Sequence, residues 1–185
     1  MKMKIVCSKK QICTCCMKEH EVKMVQVLET SIFKNTSVSY DAMYFYCDEA
    51  EELYADEFQM HENDRAMKDA YRAQKGLLTS EEIVMIRKKY DIKQTDLCIL
   101  LGWGAKTITR YEGSQVQDKA HDNILRKIAA DPEWFLCLLK DAKNELPLAS
   151  YQKYFKRAAC LYEKSEDLYM RKALEARYIR NKSSI

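Results

Sequence analysis

Glycine and proline are scarce in this sequence, with 4 and 2 of 185 residues. Both residues interrupt helices, so their scarcity favours a mainly α protein. No apolar run approaches the length that crosses a membrane, so we expect no membrane-spanning segment. The first residues carry lysines but no apolar stretch, which predicts a cytoplasmic protein without a signal peptide. A net charge of +3 is too small to indicate nucleic acid by itself.

Cysteine, in contrast, is abundant, with 8 residues. Because nothing indicates secretion, we expect a reducing compartment, where clustered cysteines bind metal more often than they form disulfides. Cys13 and Cys16 have the Cys-x-x-Cys spacing with which a tight turn holds zinc. Polar and apolar residues alternate over 21–33 and over 37–47, which predicts a β-hairpin. Its far end returns Cys47 to the Cys-x-x-Cys turn.

A closed zinc site needs four ligands, and this arrangement offers three thiols. We predict that the fourth ligand is His20, at the start of the first hairpin strand; Cys7 and Cys15 are alternatives. The predicted Zn²⁺ ligands are therefore Cys13, Cys16, His20 and Cys47. The competing interpretation is a zinc-free domain whose cysteines are small buried apolar side chains. Any such site is structural, because four protein ligands leave no open position for catalysis.

The rest of the first 75 residues gives weaker signals. Residues 1–12 are basic and show no clear pattern, so we expect a mobile tail. Residues 48–69 are acidic, which suits a basic protein partner or simply forms a solvated helix surface. Helical spacing runs from Met60 to Gln74, and Gly76 ends that helix. We therefore expect an N-terminal domain over residues 1–75.

Three short helices are predicted between residues 79 and 113. Thr79 and Glu82 form a capping box that opens the first helix. The second begins near Gln94 and stops at Gly102, where glycine allows a sharp turn. The third runs from Ala105 to Glu112. Apolar residues recur in each at three- or four-residue steps, so each helix buries one face.

The polar face of the third helix suits the major groove of DNA, which admits an α-helix. Ile108 and Tyr111 face the core, and Arg110 could place its planar guanidinium on a guanine. The DNA contacts that we predict, to bases or to phosphates, are Gln94, Thr95, Lys106, Thr107, Thr109, Arg110 and Ser114. The competing interpretation is a small helical bundle whose polar face is merely solvated.

The run Gln94…Leu97…Leu100-Leu101-Gly102, followed by Thr107-Ile108-Thr109-Arg110-Tyr111-Glu112, resembles the helix-turn-helix of Cro/cI-type (Xre) repressors. With the cysteine-containing segment before it, the chain is similar to the MqsA (YgiT-type) antitoxins over about residues 10–145. The resemblance implies a zinc-binding domain that binds a toxin and a five-helix DNA-binding domain.

Two positions depart from the pattern of that family. Its recognition helix reads DNA with an Asn and an Arg four residues apart. Arg110 matches the Arg, but Lys106 occupies the Asn position, so we expect a different operator. The second cysteine pair of the family is Tyr-Cys-x-x-Cys, whereas only Cys47 is present here.

Two more helices complete the predicted helix-turn-helix domain over 76–146: one capped by Asp118, and one with Pro132 at its first position. An extension over 147–185 follows. We expect it to be a long helix capped by Ser150, or a helical hairpin. Its apolar stripe should pack on the body or on a second copy. A homodimer would place two recognition helices one DNA turn apart on a palindromic operator.

We therefore predict a sequence-specific repressor that binds double-stranded operator DNA and, through its N-terminal domain, a cognate toxin. The alternative is a stand-alone zinc-containing regulator of phage or mobile-element origin with no toxin partner. No Cys-His-Asn arrangement, phosphate-binding loop or carboxylate pair indicates an enzyme.

Overall fold

The computed structural model describes the backbone of residues 3–182 and the side chains of residues 3–169. The chain forms two compact units. Unit 1 comprises Met1–Ser80 and Gly113–Gln117, and unit 2 comprises Glu81–Glu112 and Asp118–Ile185. A short segment of unit 1 is therefore inserted, in sequence, between two parts of unit 2.

Unit 1 contains a four-stranded antiparallel sheet in the order β1-β2-β3-β4. Its strands are β1 (Met3–Ile12), β2 (Glu19–Phe33), β3 (Thr36–Cys47) and β4 (Glu52–Tyr54). The predicted hairpin is confirmed as β2 and β3, which pair from Phe33↔Thr36 to Lys23↔Tyr46. Lys34 and Asn35 both have positive φ. Two such residues make the tight turn whose twist matches that of the strands.

The predicted tail is wrong for residues 3–12, because this segment is strand β1. It pairs with β2 from Met3↔Val27 to Ile12↔Glu19, and the register shifts between Ile5 and Cys7. Its lysines obscured the strand pattern in the sequence. β1 is exposed along nearly its whole length at the sheet edge, where lysines and a bulge discourage pairing with a further strand.

Helix α1 (Glu57–Gln74) packs on the hairpin. It begins three residues before the predicted start, because Asp56 and Gln59 form a capping box. Phe33 and Tyr71 meet edge to face, with 5.1 Å between ring centroids. Gly76 follows the helix with a φ of +63°. This left-handed conformation suits glycine, so the predicted helix stop is confirmed.

The remaining helices are α2 (Ser80–Lys89), α3 (Gln94–Leu100), α4 (Thr107–Glu112), α5 (Lys119–Ala130), α6 (Pro132–Asp141) and α7 (Leu148–Lys182). Each contributes buried apolar side chains to unit 2. Those of α2 to α6 that are at most 1% exposed include Ile83, Leu97, Ile108, Leu125, Ile128, Phe135 and Leu139. Tyr90, which follows α2, stacks on Phe135 with 3.8 Å between ring centroids.

The helix starts were predicted with mixed success. Asp118 and Asp131 cap α5 and α6 by accepting hydrogen bonds from the backbone N–H groups of His121 and Trp134, at 2.8 and 2.9 Å. The predicted start of α4 at Ala105 is two residues early. The predicted cap at Ser150 is also wrong, since α7 already begins at Leu148.

Helix α7 is a single helix of 35 residues rather than a hairpin. Tyr154 and Ala158 are buried within unit 2. From Glu163 to Tyr169 every residue is exposed. The other helices of unit 2 therefore cover only the first part of the predicted apolar stripe. Within the described range, none of the helices combines the length and the apolarity that crossing a membrane would need.

Candidate functional site

Unit 1 brings the four predicted zinc ligands together. Cys13 and Cys16 lie in the turn between β1 and β2, His20 is the second residue of β2, and Cys47 is the last residue of β3. Their ligand atoms all lie within 4.8 Å of one another. These four residues could therefore bind a metal ion such as zinc, which takes thiolate and imidazole ligands in a tetrahedral arrangement.

The backbone of the first turn shapes this cluster. The N–H of Met17 donates to the Cys13 carbonyl at 2.8 Å, and the N–H of Cys13 donates to the Lys18 carbonyl at 2.9 Å. Met17 has a φ of +59°, which lets the chain reverse within a few residues. The reversal brings both thiols of the Cys-x-x-Cys motif to one side of the turn.

A second turn follows Cys47, where the resembled family has its fourth cysteine. The backbone N–H of Ala50 donates to the Cys47 sulfur at 3.4 Å. His20 could supply the fourth ligand instead, because its Nε2 lies 3.7 Å from the Cys47 sulfur. The other ring nitrogen, Nδ1, lies 3.1 Å from the Glu21 carbonyl oxygen. A proton on Nδ1 would leave Nε2 free to bind metal, as ligating histidines usually do.

The cluster is shielded from water on several sides. Cys13 and Cys47 are fully buried against Val22, and Phe45 and Tyr54 pack around them. Burial raises the pKa of the Cys13 thiol. The Cys16 backbone N–H and the Tyr54 hydroxyl oppose this effect, and the net pKa is about 6. These neighbours therefore favour a thiolate, the form of cysteine that binds metal.

The alternative ligands Cys7 and Cys15 lie outside the cluster. The Cys15 thiol donates to a Glu52 carboxylate oxygen at 3.2 Å. This hydrogen bond, with burial, raises the pKa of Cys15 to about 11. Cys15 therefore favours the protonated thiol, in contrast to Cys13. Cys7 is exposed on the edge strand β1.

Many carboxylates of the acidic segment 48–69 are engaged in ion pairs within unit 1. These pairs are Lys23–Asp48 (2.7 Å), Lys18–Glu49 (2.6 Å), Lys68–Asp64 (2.7 Å), Arg72–Asp69 (2.6 Å) and Arg65–Glu62. The segment therefore presents much less uncompensated negative charge than its composition indicates.

Helix α4 in unit 2 carries three of the seven predicted DNA contacts, and a fourth, Lys106, directly precedes it. Ile108 and Tyr111 are buried, as predicted, at 0% and 6% exposure. Thr109 and Arg110 are exposed, as is Lys106 just before the helix. Thr107 is half-buried. The buried pair fixes the helix to unit 2 and leaves its polar face open to solvent.

Two predicted contact residues bond to each other. The Thr109 hydroxyl donates to Gln94 Oε1 at 3.0 Å, and Gln94 Nε2 donates to Glu112 Oε2 at 2.6 Å. Arg87 in turn donates to Glu112 Oε2 through Nη2 at 2.9 Å. Sequence reasoning missed Arg87 and Glu112, because residues 25 positions apart give no pattern that reveals their contact.

The other two predicted DNA contacts are placed differently. The Thr95 hydroxyl donates to Asp96 Oδ1 at 3.2 Å within α3. Ser114 belongs to unit 1, in the segment that follows α4 in sequence. The structure thus groups Gln94, Lys106, Thr109 and Arg110 at or near α4, whereas Ser114 belongs to another unit.

No protein-family model matches the sequence, and neither the curated proteins nor the solved structures gave a significant match.

Proposed function

We propose that this protein is a sequence-specific repressor of the MqsA antitoxin type, in which α4 reads double-stranded DNA and a structural zinc ion stabilises unit 1. The observation that carries the proposal is the division of α4 into two faces. Ile108 and Tyr111 anchor the helix, while Lys106, Thr109 and Arg110 are exposed. A helix held by one face can enter the major groove with the other.

Two side chains would read bases. The Arg110 guanidinium can donate two parallel hydrogen bonds to O6 and N7 of guanine, and Lys106 can donate to the same atoms less rigidly. Both side chains are exposed, and neither makes an ion pair within the part of the chain that the structure describes. Their donors are therefore available to a ligand. Thr107 would contact the DNA backbone.

The hydrogen bonds around Glu112 would support base recognition by fixing the position of α4. Arg87 and Gln94 both donate to the carboxylate of Glu112. Arg87 also compensates the negative charge of Glu112, which would otherwise repel phosphates. Gln94 Nε2 keeps a second N–H for a phosphate, since an amide nitrogen carries two protons. Binding then costs less side-chain ordering, because these groups are fixed beforehand.

The zinc ion would act on stability. When bound, it would tie the turn before β2 to the far end of β3 through Cys13, Cys16, His20 and Cys47. The donor set fits a closed structural site, because it supplies three thiols and one imidazole and two of the thiols are fully buried.

Toxin binding by unit 1 would follow from the resemblance to the MqsA antitoxins. The ion pairs within the acidic segment remove much of the electrostatic attraction that we expected for a basic partner. This observation favours the second candidate, a stand-alone regulator without a toxin. Purification of the protein together with the product of a neighbouring gene would separate the two: a stable complex supports the antitoxin, and its absence supports the regulator.

DNA binding is tested on the fragment upstream of the protein's own gene, with random DNA of equal length for comparison and with salt varied. The variant Lys106→Ala/Arg110→Ala should lose the preference for the upstream fragment. Lys140→Ala/Lys143→Ala removes the same charge from exposed positions after and at the end of α6, and it should keep the preference. Equal binding of wild type to both DNAs would refute the proposal.

A further inference from the structure

Three lysines of unit 1 surround one pair of aromatic rings. Phe33 and Tyr71 form the edge-to-face contact between the hairpin and α1. Lys34 Nζ lies 5.6 Å from the ring centroid of Phe33 and 5.9 Å from that of Tyr71. Lys68 Nζ lies 5.9 Å from the Phe33 centroid, and Lys75 Nζ lies 5.6 Å from the Tyr71 centroid. We call Lys34, Lys68 and Lys75 the lysine patch.

The patch carries more positive charge than its surroundings compensate. Asp64 pairs with Lys68 at 2.7 Å. Lys34 and Lys75 are exposed, and neither has an ion pair among the described residues. The faces of aromatic rings attract cations, but at exposed sites this gain is only about 0.5–1 kcal/mol. Three converging ammonium groups thus retain an excess charge of two, which favours a polyanionic partner.

A cleft of about 330 Å³ opens beside the patch. Its lining consists of Phe33, Lys34, Lys68, Ser114, Gln115 and Val116. The buried side chain of Arg72 fixes the wall formed by the last three residues. It donates to the Gln115 carbonyl at 2.7 Å and to Gln117 Oε1 at 3.0 Å. The cleft is therefore walled by a segment that is tied to α1, and Ser114 offers a hydroxyl within it.

This cleft is close, along the chain, to the proposed DNA-reading helix. Helix α4 ends at Glu112, and only Gly113 separates it from Ser114. Two residues span at most about 7 Å of extended chain. The segment that walls the cleft therefore directly follows the proposed DNA-reading helix in the chain.

We propose that the lysine patch is a second DNA-contact surface, which binds backbone phosphates and reads no bases. The inference rests on the proposed function of α4. Lysine is a compact point charge, suited to phosphate and unable to form the bidentate fork of arginine. Phosphate contacts fix register and add affinity irrespective of sequence. The patch would thus raise affinity for all DNA, while α4 supplies the preference for one site.

The test measures affinity against salt for wild type and for Lys34→Ala/Lys75→Ala, on the upstream fragment and on random DNA. Each lost phosphate contact lowers the slope of log affinity against log salt by about 0.9. The double variant should lower it by about 1.8 on both DNAs, and its preference for the upstream fragment should stay unchanged. Between 50 and 200 mM salt, the ratio of wild-type affinity to variant affinity should shrink about tenfold.

Lys4→Ala/Lys9→Ala provides the matched control, because it removes the same charge from exposed positions of β1 in the same unit. It should bind both DNAs with the wild-type slope. Circular dichroism and thermal melting establish that all variants fold equally, since neither pair contributes to the core.

The remaining outcomes would overturn phosphate binding by the lysine patch, base reading by α4, or both. Wild-type affinity and slope in the patch variant would refute the patch and leave the role of α4 intact. A loss confined to the upstream fragment, with an unchanged slope, would also refute phosphate binding. Binding without any preference, but with a slope that depends on the patch, would refute base reading by α4 and retain the patch. Absence of DNA binding in wild type would overturn both.

Discussion

The hydroxyl of Tyr154, in α7, donates a 2.6 Å hydrogen bond to Oδ2 of Asp96, in α3. Both residues are buried, at 1% and 8% exposure. The same hydroxyl accepts a 3.4 Å hydrogen bond from the backbone N–H of Lys93. The long C-terminal helix is thereby attached to the first residues of the helix that precedes the proposed DNA-reading helix.

Replacement of Tyr154 by Phe should destabilise unit 2 by roughly 1.5–3 kcal/mol, because the Asp96 carboxylate loses its buried hydrogen-bond donor. Urea unfolding measures the change. Tyr151→Phe is the control: this half-buried tyrosine packs on Phe155 through its ring, so its hydroxyl should contribute little. Equal stability of Tyr154→Phe and wild type would mean that Asp96 finds other donors.

Metal analysis should find about one zinc ion per chain, and chelation should unfold the sheet of unit 1 while the helices of unit 2 stay folded. Cys47→Ser should lower the zinc content sharply, because Cys47 joins the end of β3 to the cluster. Cys7→Ser, on the exposed edge strand, should keep it. Zinc-free protein with a fully folded sheet would show that the cysteines are only buried apolar side chains.

Tyr54 should affect how tightly zinc is held. Its hydroxyl is buried and lowers the pKa of the neighbouring Cys13 thiol, while its side chain packs against Cys13 and Cys47. A thiolate at Cys13 would give the hydroxyl an acceptor. Tyr54→Phe should therefore weaken zinc binding about 10- to 100-fold in competition with a chelator. Tyr46→Phe, in the same sheet, should leave zinc binding unchanged; equal losses in both variants would contradict a specific role.

Arg110→Ala should cost roughly 1–3 kcal/mol in binding to the operator and relax the preference at one base pair. Arg157→Ala is a fitting comparison, because Arg157 is exposed in α7 and donates to the Lys89 carbonyl. Titration of operator variants measures the affinity and the preference at each base pair. Unchanged affinity and unchanged preference would remove Arg110 from base reading.

Asp131 should make stability depend on pH. A hydrogen bond from Lys127 and the backbone N–H of Trp134 lower the pKa of its carboxyl below the usual 3.8. A lowered pKa contributes stability above the pKa of the unfolded state, and this contribution is lost as pH falls through the folded pKa. Wild type should therefore exceed Asp131→Asn in stability at pH 7, and the difference should shrink between pH 5 and the lowered pKa. A constant difference across that range would assign it to packing instead of charge.

Local signals in the sequence predicted the structure well where one or two residues decide a conformation. Asp118 and Asp131 mark helix starts because a carboxylate accepts from the backbone three residues on. Gly76 marks a helix end because it adopts positive φ easily. The cluster of three cysteines and His20 could also be predicted, since an antiparallel hairpin must return Cys47 to the turn that holds Cys13.

The missed strand and the missed side-chain contacts have a common cause, which is that the deciding contact is not local. Strand β1 forms because β2 offers it a free edge, and nothing within residues 3–12 reveals that edge. The bond between Gln94 and Glu112 joins positions 18 apart, and the bond between Asp96 and Tyr154 joins positions 58 apart. No periodicity in the sequence encodes such pairs.

The inserted segment Gly113–Gln117 has a consequence for how the protein can be divided. A fragment that ends at Ser80 would contain Arg72 but would lack the Gln115 carbonyl and the Gln117 side chain to which Arg72 donates. A guanidinium that is 0% exposed would then lose two acceptors. The two units therefore cannot be separated by a single cut in the chain. If unit 2 is exchanged for that of another protein, residues Gly113–Gln117 must be kept with unit 1.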